Sequence, residues 1–141
     1  MIKKILKGTA KERKIRVNAG QTTSFLWEGE NVFSTPSMIS EMEETCRLLL
    51  KEEFLQDEAW DSVGTLVNVR HLKATPVGTE VKLKAKVINV NDRRITFEVD
   101  AVDKIEKIGE GLHERTIINV PEFRERFNKK LKKLEFVNLS S

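Results

Sequence analysis

Between residues 35 and 54, apolar and polar positions recur with the period of an α-helix. The apolar positions fall three or four residues apart, and glutamate, arginine and lysine occupy the other side. Thr35 is a residue type that caps helix N-termini, and Pro36 suits the first helical position because its missing N–H costs nothing there. The pattern predicts one amphipathic helix of about five turns. Its apolar positions are Met38, Ile39, Met42, Cys46, Leu49 and Leu50.

After this helix, the chain changes to the period of two that is typical of β-strands. The alternating segments are residues 65–72, 79–90, 94–102 and 107–120. An earlier strand is expected at residues 15–20, and a short basic helix at residues 121–136. The apolar face of such a sheet must be buried against another element, and the long amphipathic helix is the element able to bury it. We therefore predict an α+β fold in which an antiparallel sheet wraps around one long central helix.

Composition narrows the class of protein. The 141 residues suit one domain, residues 1–141, with a basic C-terminal tail at about 121–141. The single cysteine, Cys46, has no partner for an internal disulfide, which favours a cytoplasmic location. We expect no signal peptide and no membrane span, because no apolar stretch is long enough. Two histidines and one cysteine leave few ligands for zinc, so we expect no metal site.

Two polar residues stand near apolar faces. Glu43 falls roughly 20° outside the apolar stripe of the helix, since successive residues are about 100° apart. On spacing alone, an acid at the helix boundary that reaches solvent is the simpler interpretation. His71 shares a strand face with Val67 and Val69, where a core histidine with a satisfied hydrogen bond is the simpler interpretation. His113 is assigned a structural or surface role.

Other known motifs are missing from the sequence. No glycine-rich phosphate-binding loop and no G-x-S-x-G elbow occur. The net charge of +3 is small, tyrosine is absent, and no aromatic residues interleave with the basic cluster, so we expect no nucleic-acid partner. A solvated helix face explains the lysine run near the C-terminus. Its members are Lys129, Lys130, Lys132 and Lys133.

Four stretches together carry a resemblance to a known family. "VFSTPSMISEMEETC", "VGTLVNVRHLKATPVG", "RRITFEVDAVDKIEKIGEG" and "HERTIIN" resemble the hotdog-fold thioesterases of the fluoroacetyl-CoA thioesterase type. The similarity runs from about residue 32 to residue 119. It implies a helix wrapped by the sheet, a homodimer that pairs its sheets edge to edge, and an active site at the dimer interface. Dimers of such domains often assemble further.

The resemblance also implies roles for individual residues. Thr35, Glu43 and His71 match the catalytic triad of the family, and Gly64 and Arg115 match positions that shape the acyl pocket and assist substrate binding. The implied reaction is hydrolysis of a short-chain acyl-CoA, with coenzyme A as part of the substrate and no separate cofactor. At the helix start, the threonine hydroxyl would face the thioester carbonyl beside free backbone N–H groups.

One departure from the family concerns the acyl group. The fluoroacetyl-specific enzyme has a lid with phenylalanines before the threonine, whereas the stretch "FLWEGENVF" has Gly29 and Glu30 where an aromatic lid residue is expected. Phe25 and Trp27 are the possible substitutes. This departure argues against fluoroacetyl-CoA selectivity.

Two other functional classes remain open from the sequence. One is a hotdog module that binds acyl-CoA without turnover, since a fold alone does not fix a function. The other is a basic interaction protein that uses the C-terminal lysines. The nucleotide of coenzyme A is anionic, and the sequence leaves several basic candidates for it: Arg70, Lys73, Arg93 and Arg94.

Overall fold

The computed structural model describes residues 3–23 and 31–140. Two helices and five strands make up the described chain, with a short 3-10 turn at Ala19–Gln21. In chain order the elements are β1 (Ala10–Arg16), α1 (Thr35–Glu53), β2 (Trp60–His71), β3 (Glu80–Asn91), β4 (Arg94–Val102), β5 (Lys107–Asn119) and α2 (Val120–Ser140).

The predicted long helix is confirmed as α1, but its cap differs from the prediction. The Ser34 hydroxyl accepts a hydrogen bond from the Ser37 backbone N–H at 3.2 Å, so Ser34 caps the helix. The prediction that Thr35 is the cap is wrong, because the extended backbone that a cap requires lies one residue earlier. Pro36 was predicted at the first helical position and occupies the second, because α1 begins at Thr35. The Thr35 side chain is therefore available to a different partner.

The strands form one antiparallel sheet in the order β1-β3-β4-β5-β2, and α1 packs against one face of it. The predicted alternation is confirmed in the two central strands, where every second side chain is buried. Each fully buried valine, leucine, isoleucine or phenylalanine side chain stabilises the fold by about 1.5–3 kcal/mol. The predicted α+β fold is thus confirmed. The buried side chains of β3 and β4 are Val81, Leu83, Ala85, Val87, Ile95, Phe97, Val99 and Ala101.

The first strand lies earlier than predicted. The expected strand at residues 15–20 is wrong in position, since β1 ends at Arg16 and a 3-10 turn follows. Charged residues conceal the alternation of β1, because its half-buried face includes Arg13. The Arg13 guanidinium donates to the Glu41 carbonyl at 3.2 Å and to the Thr45 hydroxyl at 3.1 Å. Such a face contributes to packing without an apolar signature in the sequence.

β2 lies at one edge of the sheet, and its outer side pairs with no strand of the described chain. Its middle is exposed, including Leu66 at 48% and Val67 at 42%. A bulge at Thr65 shifts the pairing with β5 between Gly64 and Leu66. A long edge strand with exposed apolar side chains is a surface on which another strand can pair.

α2 continues directly from β5 and is longer than the short helix that was predicted. Its residues 121–139 are exposed, so the predicted solvation of its lysines is confirmed. Four of its apolar positions form a stripe along one side. Across the described residues, no helix is long and apolar enough to cross a membrane. The stripe consists of Phe123, Phe127, Leu131 and Leu134.

Candidate active site

Thr35 and His71 meet where α1 begins and β2 ends. The Thr35 Oγ1 atom lies 2.8 Å from His71 Nδ1, within hydrogen-bonding distance. His71 pairs with Gly109 in β5, and a side chain at position 109 would collide with Met38 of α1. The glycine therefore allows the start of α1 to lie close to the sheet. Two of the predicted triad residues are brought together in this way.

The other ring nitrogen of His71 is buried without a partner. Within residues 3–23 and 31–140, His71 Nε2 makes no hydrogen bond. A buried polar atom left unpaired costs about 1–3 kcal/mol, so a position of this kind suits a group supplied by a bound molecule. Burial lowers the pKa of His71 below its ordinary value of 6.5, against a weaker opposing effect of the Lys73 backbone. The ring is therefore neutral at pH 7 and able to accept a proton.

The Thr35–His71 pair opens into a cleft of about 330 Å³. Its walls are mostly apolar, which suits a small acyl chain better than a charged ligand. Lys73, one of the predicted candidates for the coenzyme A nucleotide, stands at the cleft, whereas Arg93 stacks over the Trp60 ring at 5.0 Å. The apolar part of the lining consists of Val32, Phe33, Pro36, Leu72 and Ala74.

Glu43 belongs to a second cluster, further along α1. Its Oε2 atom lies 3.9 Å from Nη1 of Arg115, and its side chain is 40% exposed. Arg115 is 5% exposed, and its guanidinium donates to the Ser62 hydroxyl and to the Ser62 carbonyl, each at 2.8 Å. Burial lowers the pKa of Arg115, with Cys46 and Glu43 acting in the opposite direction. Glu43 thus has both a buried cation and solvent beside it.

Gly64 and His113 complete this second cluster. A Cβ atom at Gly64 would lie 3.1 Å from His113 Cε1, 3.4 Å from Glu43 Oε2 and 3.5 Å from Arg115 Nη1. Gly64 therefore leaves open the space that these three side chains border. The surface alternative proposed for His113 is wrong, because the residue is 1% exposed. The sequence contains no signal for Ser62 as a partner of Arg115. For His113 a signal was present, because it precedes Arg115 by two residues in a strand, so both side chains lie on the same face.

Within one chain, the two clusters are separate. Glu43 follows Thr35 by eight residues, which is about 12 Å along a helix. Gly64 precedes His71 by seven residues, which is about 23 Å along a strand. The predicted site residues therefore fall into a Thr35–His71 pair and a group formed by Glu43, Gly64 and Arg115. Among the described residues, no three His, Cys, Asp or Glu side chains are grouped so that they could hold a metal ion.

We expect the protein to lose stability as the pH falls from about 7 to about 5.5. Burial lowers the pKa of both His71 and His113 below 6.5, so the unfolded chain takes up protons first. Stability from the neutral rings is present above 6.5 and declines as the pH falls below it. Burial raises the pKa of Asp100 above its ordinary value of 3.8, so this carboxyl favours the folded state as the pH falls. Its ordinary pKa is lower than that of the histidines.

The measurement is the urea midpoint at fixed protein concentration across this pH range. His71→Asn removes one of the two titrating rings and should make the decline shallower. A midpoint that stays level or rises as the pH falls would contradict the assignment of both rings as neutral.

Comparison with known protein structures first identifies the fold. A hot-dog-like protein from Thermanaerovibrio acidaminovorans matches with a TM-score of 0.78 at 21% identity, over 88% of this chain and 91% of that one. A thioesterase superfamily member from Thermus thermophilus matches with a TM-score of 0.83 at 23% identity, over 94% and 97% of the two chains. The fold is therefore the hotdog fold, as the resemblance implied.

The family follows from three further matches. The family model for fluoroacetyl-CoA-specific thioesterases matches residues 17–121. The fluoroacetyl-CoA thioesterase of Streptantibioticus cattleyicolor is 35% identical over 103 residues, 73% of each chain. A solved structure of the fluoroacetyl-CoA thioesterase FlK superposes with a TM-score of 0.82 at 27% identity, over 91% of this chain and 98% of that one. The chain belongs to this family of thioesterases, and it is a thioester hydrolase.

Proposed function

We propose that the protein hydrolyses a short-chain acyl-CoA to the free acid and coenzyme A, with Thr35, Glu43 and His71 as its catalytic residues. The observation that carries the proposal is the 2.8 Å contact between Thr35 and His71 at an apolar cleft. The unpartnered Nε2 of His71 supports it, because a bound substrate or its attacking water would supply the missing hydrogen bond. The cleft volume of about 330 Å³ suits a short acyl group with the end of the pantetheine arm.

A homodimer would join the two clusters into one site. The edge of β2 is unpaired in the described chain, and its exposed residues, 64–68 and Arg70, lie on both sides of Val67, with Val69 half-buried between them. A two-fold axis near Val67 would pair this edge with its copy in antiparallel fashion. Gly64 would then lie within one residue of His71 of the partner subunit. Glu43 of one subunit would thus approach the Thr35–His71 pair of the other.

The chemistry follows from these positions. The thioester carbonyl would lie at the start of α1, where the positive end of the helix dipole would stabilise the oxyanion. In one route, Thr35 Oγ1 attacks the carbonyl carbon, its proton passes to His71, and the C–S bond breaks to release coenzyme A. Water then hydrolyses the acyl ester. In the other route, Glu43 takes a proton from a water that attacks the carbonyl directly, the C–S bond breaks, and the departing sulfur takes up the proton, while Thr35 only positions the reactants.

The relatives suggest which acyl groups to test. Two of the proteins compared above are named for fluoroacetyl-CoA, so that substrate belongs in the test. The predicted loss of fluoroacetyl selectivity rests on Gly29 and Glu30, which lie outside the described residues. It stays a prediction. The substrate class that we propose is therefore short-chain acyl-CoA, including fluoroacetyl-CoA.

The test is release of free thiol from acetyl-, fluoroacetyl-, propionyl- and butyryl-CoA. We expect turnover of at least one of them and a loss of about 100-fold or more in Thr35→Ala, Glu43→Ala and His71→Ala. Glu44→Ala is the matched control, because Glu44 is the next acid on α1 and pairs with Arg47 instead. Equal rates in all the variants would refute the assignment of these three residues. Stabilisation by coenzyme A without thiol release would favour the alternative, a hotdog module that binds acyl-CoA without turnover.

A further inference from the structure

His113 contacts a backbone carbonyl beside the bulge in β2. At the bulge, the pairing with β5 shifts between Gly64 and Leu66, so the regular ladder of hydrogen bonds is interrupted. His113 Nδ1 lies 2.8 Å from the Leu66 carbonyl oxygen. A carbonyl oxygen only accepts hydrogen bonds, so Nδ1 must carry the proton. His113 therefore ties β5 to the irregular part of the edge strand.

The second nitrogen of His113 engages Arg115. In the neutral ring with a proton on Nδ1, Nε2 is an acceptor, and it lies 3.1 Å from Arg115 Nη1. Arg115 is then fixed from two sides, since its other donors bind the Ser62 hydroxyl and carbonyl. The Phe97 ring stacks on the imidazole with its centroid 6.4 Å away. Each imidazole nitrogen thus has one specific partner, which defines the tautomer.

We infer that His113 is a positioning residue, which acts through Arg115 to orient the Glu43 carboxylate beside Gly64. The imidazole holds the Arg115 guanidinium, whose Nη1 atom lies 3.9 Å from Glu43 Oε2. The same ring borders the space at Gly64, since its Cε1 atom would be the nearest neighbour of a Cβ atom added there, at 3.1 Å. This inference rests on the proposed catalytic role of Glu43.

The charges around the ring agree with this arrangement. Burial lowers the pKa of His113, the nearby Arg115 cation lowers it further, and the Leu66 carbonyl, Glu43 and Glu114 act in the opposite direction. Protonation would place an N–H on Nε2 against the Arg115 donor, and the contact between them would be lost. The neutral ring is the form that positions Arg115.

Amide substitutions separate the two bonds of His113. In His113→Gln the amide oxygen can replace Nε2 as the acceptor for Arg115, whereas His113→Asn can replace only the donor to Leu66. Because the effect on Glu43 passes through Arg115, we expect kcat of His113→Gln within about threefold of wild type. His113→Asn and His113→Phe should lose about 10- to 100-fold in kcat with little change in KM, since a misplaced catalytic group costs rate more than binding.

The outcomes distinguish this inference from the proposed function. If Glu43→Ala loses activity while His113→Asn and His113→Phe keep kcat and lose only thermal stability, His113 is merely structural and the inference is wrong. If Glu43→Ala keeps full activity, the proposed catalytic role of Glu43 is wrong, and the inference about His113 fails with it. Equal losses in His113→Gln and His113→Phe would also overturn the path through Arg115.

A measurement on protein that retains His113 tests the inference even if the His113 variants do not fold. The ¹⁵N spectrum of histidine-labelled protein at neutral pH should show His113 as the neutral ring with its proton on Nδ1, with the two histidines assigned through His71→Asn. A proton on Nε2 would exclude the contact with Arg115 and overturn the inference.

Discussion

Mixing Glu43→Ala subunits with His71→Ala subunits is expected to restore about one quarter of the wild-type activity, although each variant alone is inactive. In a two-fold dimer with a shared site, Glu43 of one subunit serves the Thr35–His71 pair of the other. Random exchange makes about half of the dimers mixed, and each mixed dimer contains one complete site of two. The subunits can be exchanged by joint refolding from urea, and thiol release from acyl-CoA measured against the same protein concentration of wild type.

A second mixture supplies the control. Thr35 and His71 lie 2.8 Å apart in one chain, so they always enter the same site together. Mixing Thr35→Ala with His71→Ala subunits should therefore restore nothing, because neither subunit offers an intact pair. Absence of activity in both mixtures would show that the site is not shared between subunits, and recovery in both would show that the pair is not a unit.

Gly64→Val is expected to lower kcat/KM by about 100-fold or more, because small displacements at a reacting centre are costly. A Cβ atom at this position already lies 3.1 Å from His113 and 3.4 Å from the Glu43 carboxylate. The two further methyl groups of valine would fill the space in which Glu43 stands. Gly64→Ala should fall between wild type and valine, since one methyl group requires a shift of only a few tenths of an ångström.

Thr65→Val is the matched control for Gly64→Val. It places the same side chain at the neighbouring position of the same edge strand, where Thr65 faces Glu114 rather than Glu43. Thiol release should remain close to wild type in this control, and circular dichroism should show that all three variants fold. Full activity in Gly64→Val would mean that the space beside Glu43 is not used in the reaction.

Features that depend on short-range residue spacing were predicted correctly, and features that depend on backbone conformation or on distant contacts were not. α1 and the two central strands were predictable, because burial on one side imposes a period of 3.6 or 2 on the sequence. β1 was misplaced because Arg13 gives its half-buried face a charged residue. The cap of α1 was misassigned because Ser34 and Thr35 are adjacent residues of the same capping type, and only the backbone conformation distinguishes them.

The proposed site residues divide in the same way. The family motifs in the sequence predicted roles for Thr35, Glu43 and His71, yet they did not show that Glu43 lies apart from the other two within one chain. Nor did they reveal the contact of Arg115 in β5 with Ser62 in β2, two residues that are distant along the chain. Such contacts depend on strand register, and a shift of one residue would reverse the face that each side chain occupies.

By itself, the sequence determined the order of the elements, the amphipathic faces that make them pack, and the family to which the chain belongs. These are properties of residue type and short-range spacing. The tertiary structure alone decided that the Thr35 hydroxyl meets His71 instead of capping α1, and that a buried guanidinium stands beside Glu43. Both outcomes arise because α1 lies across the sheet and brings together side chains that no local period relates.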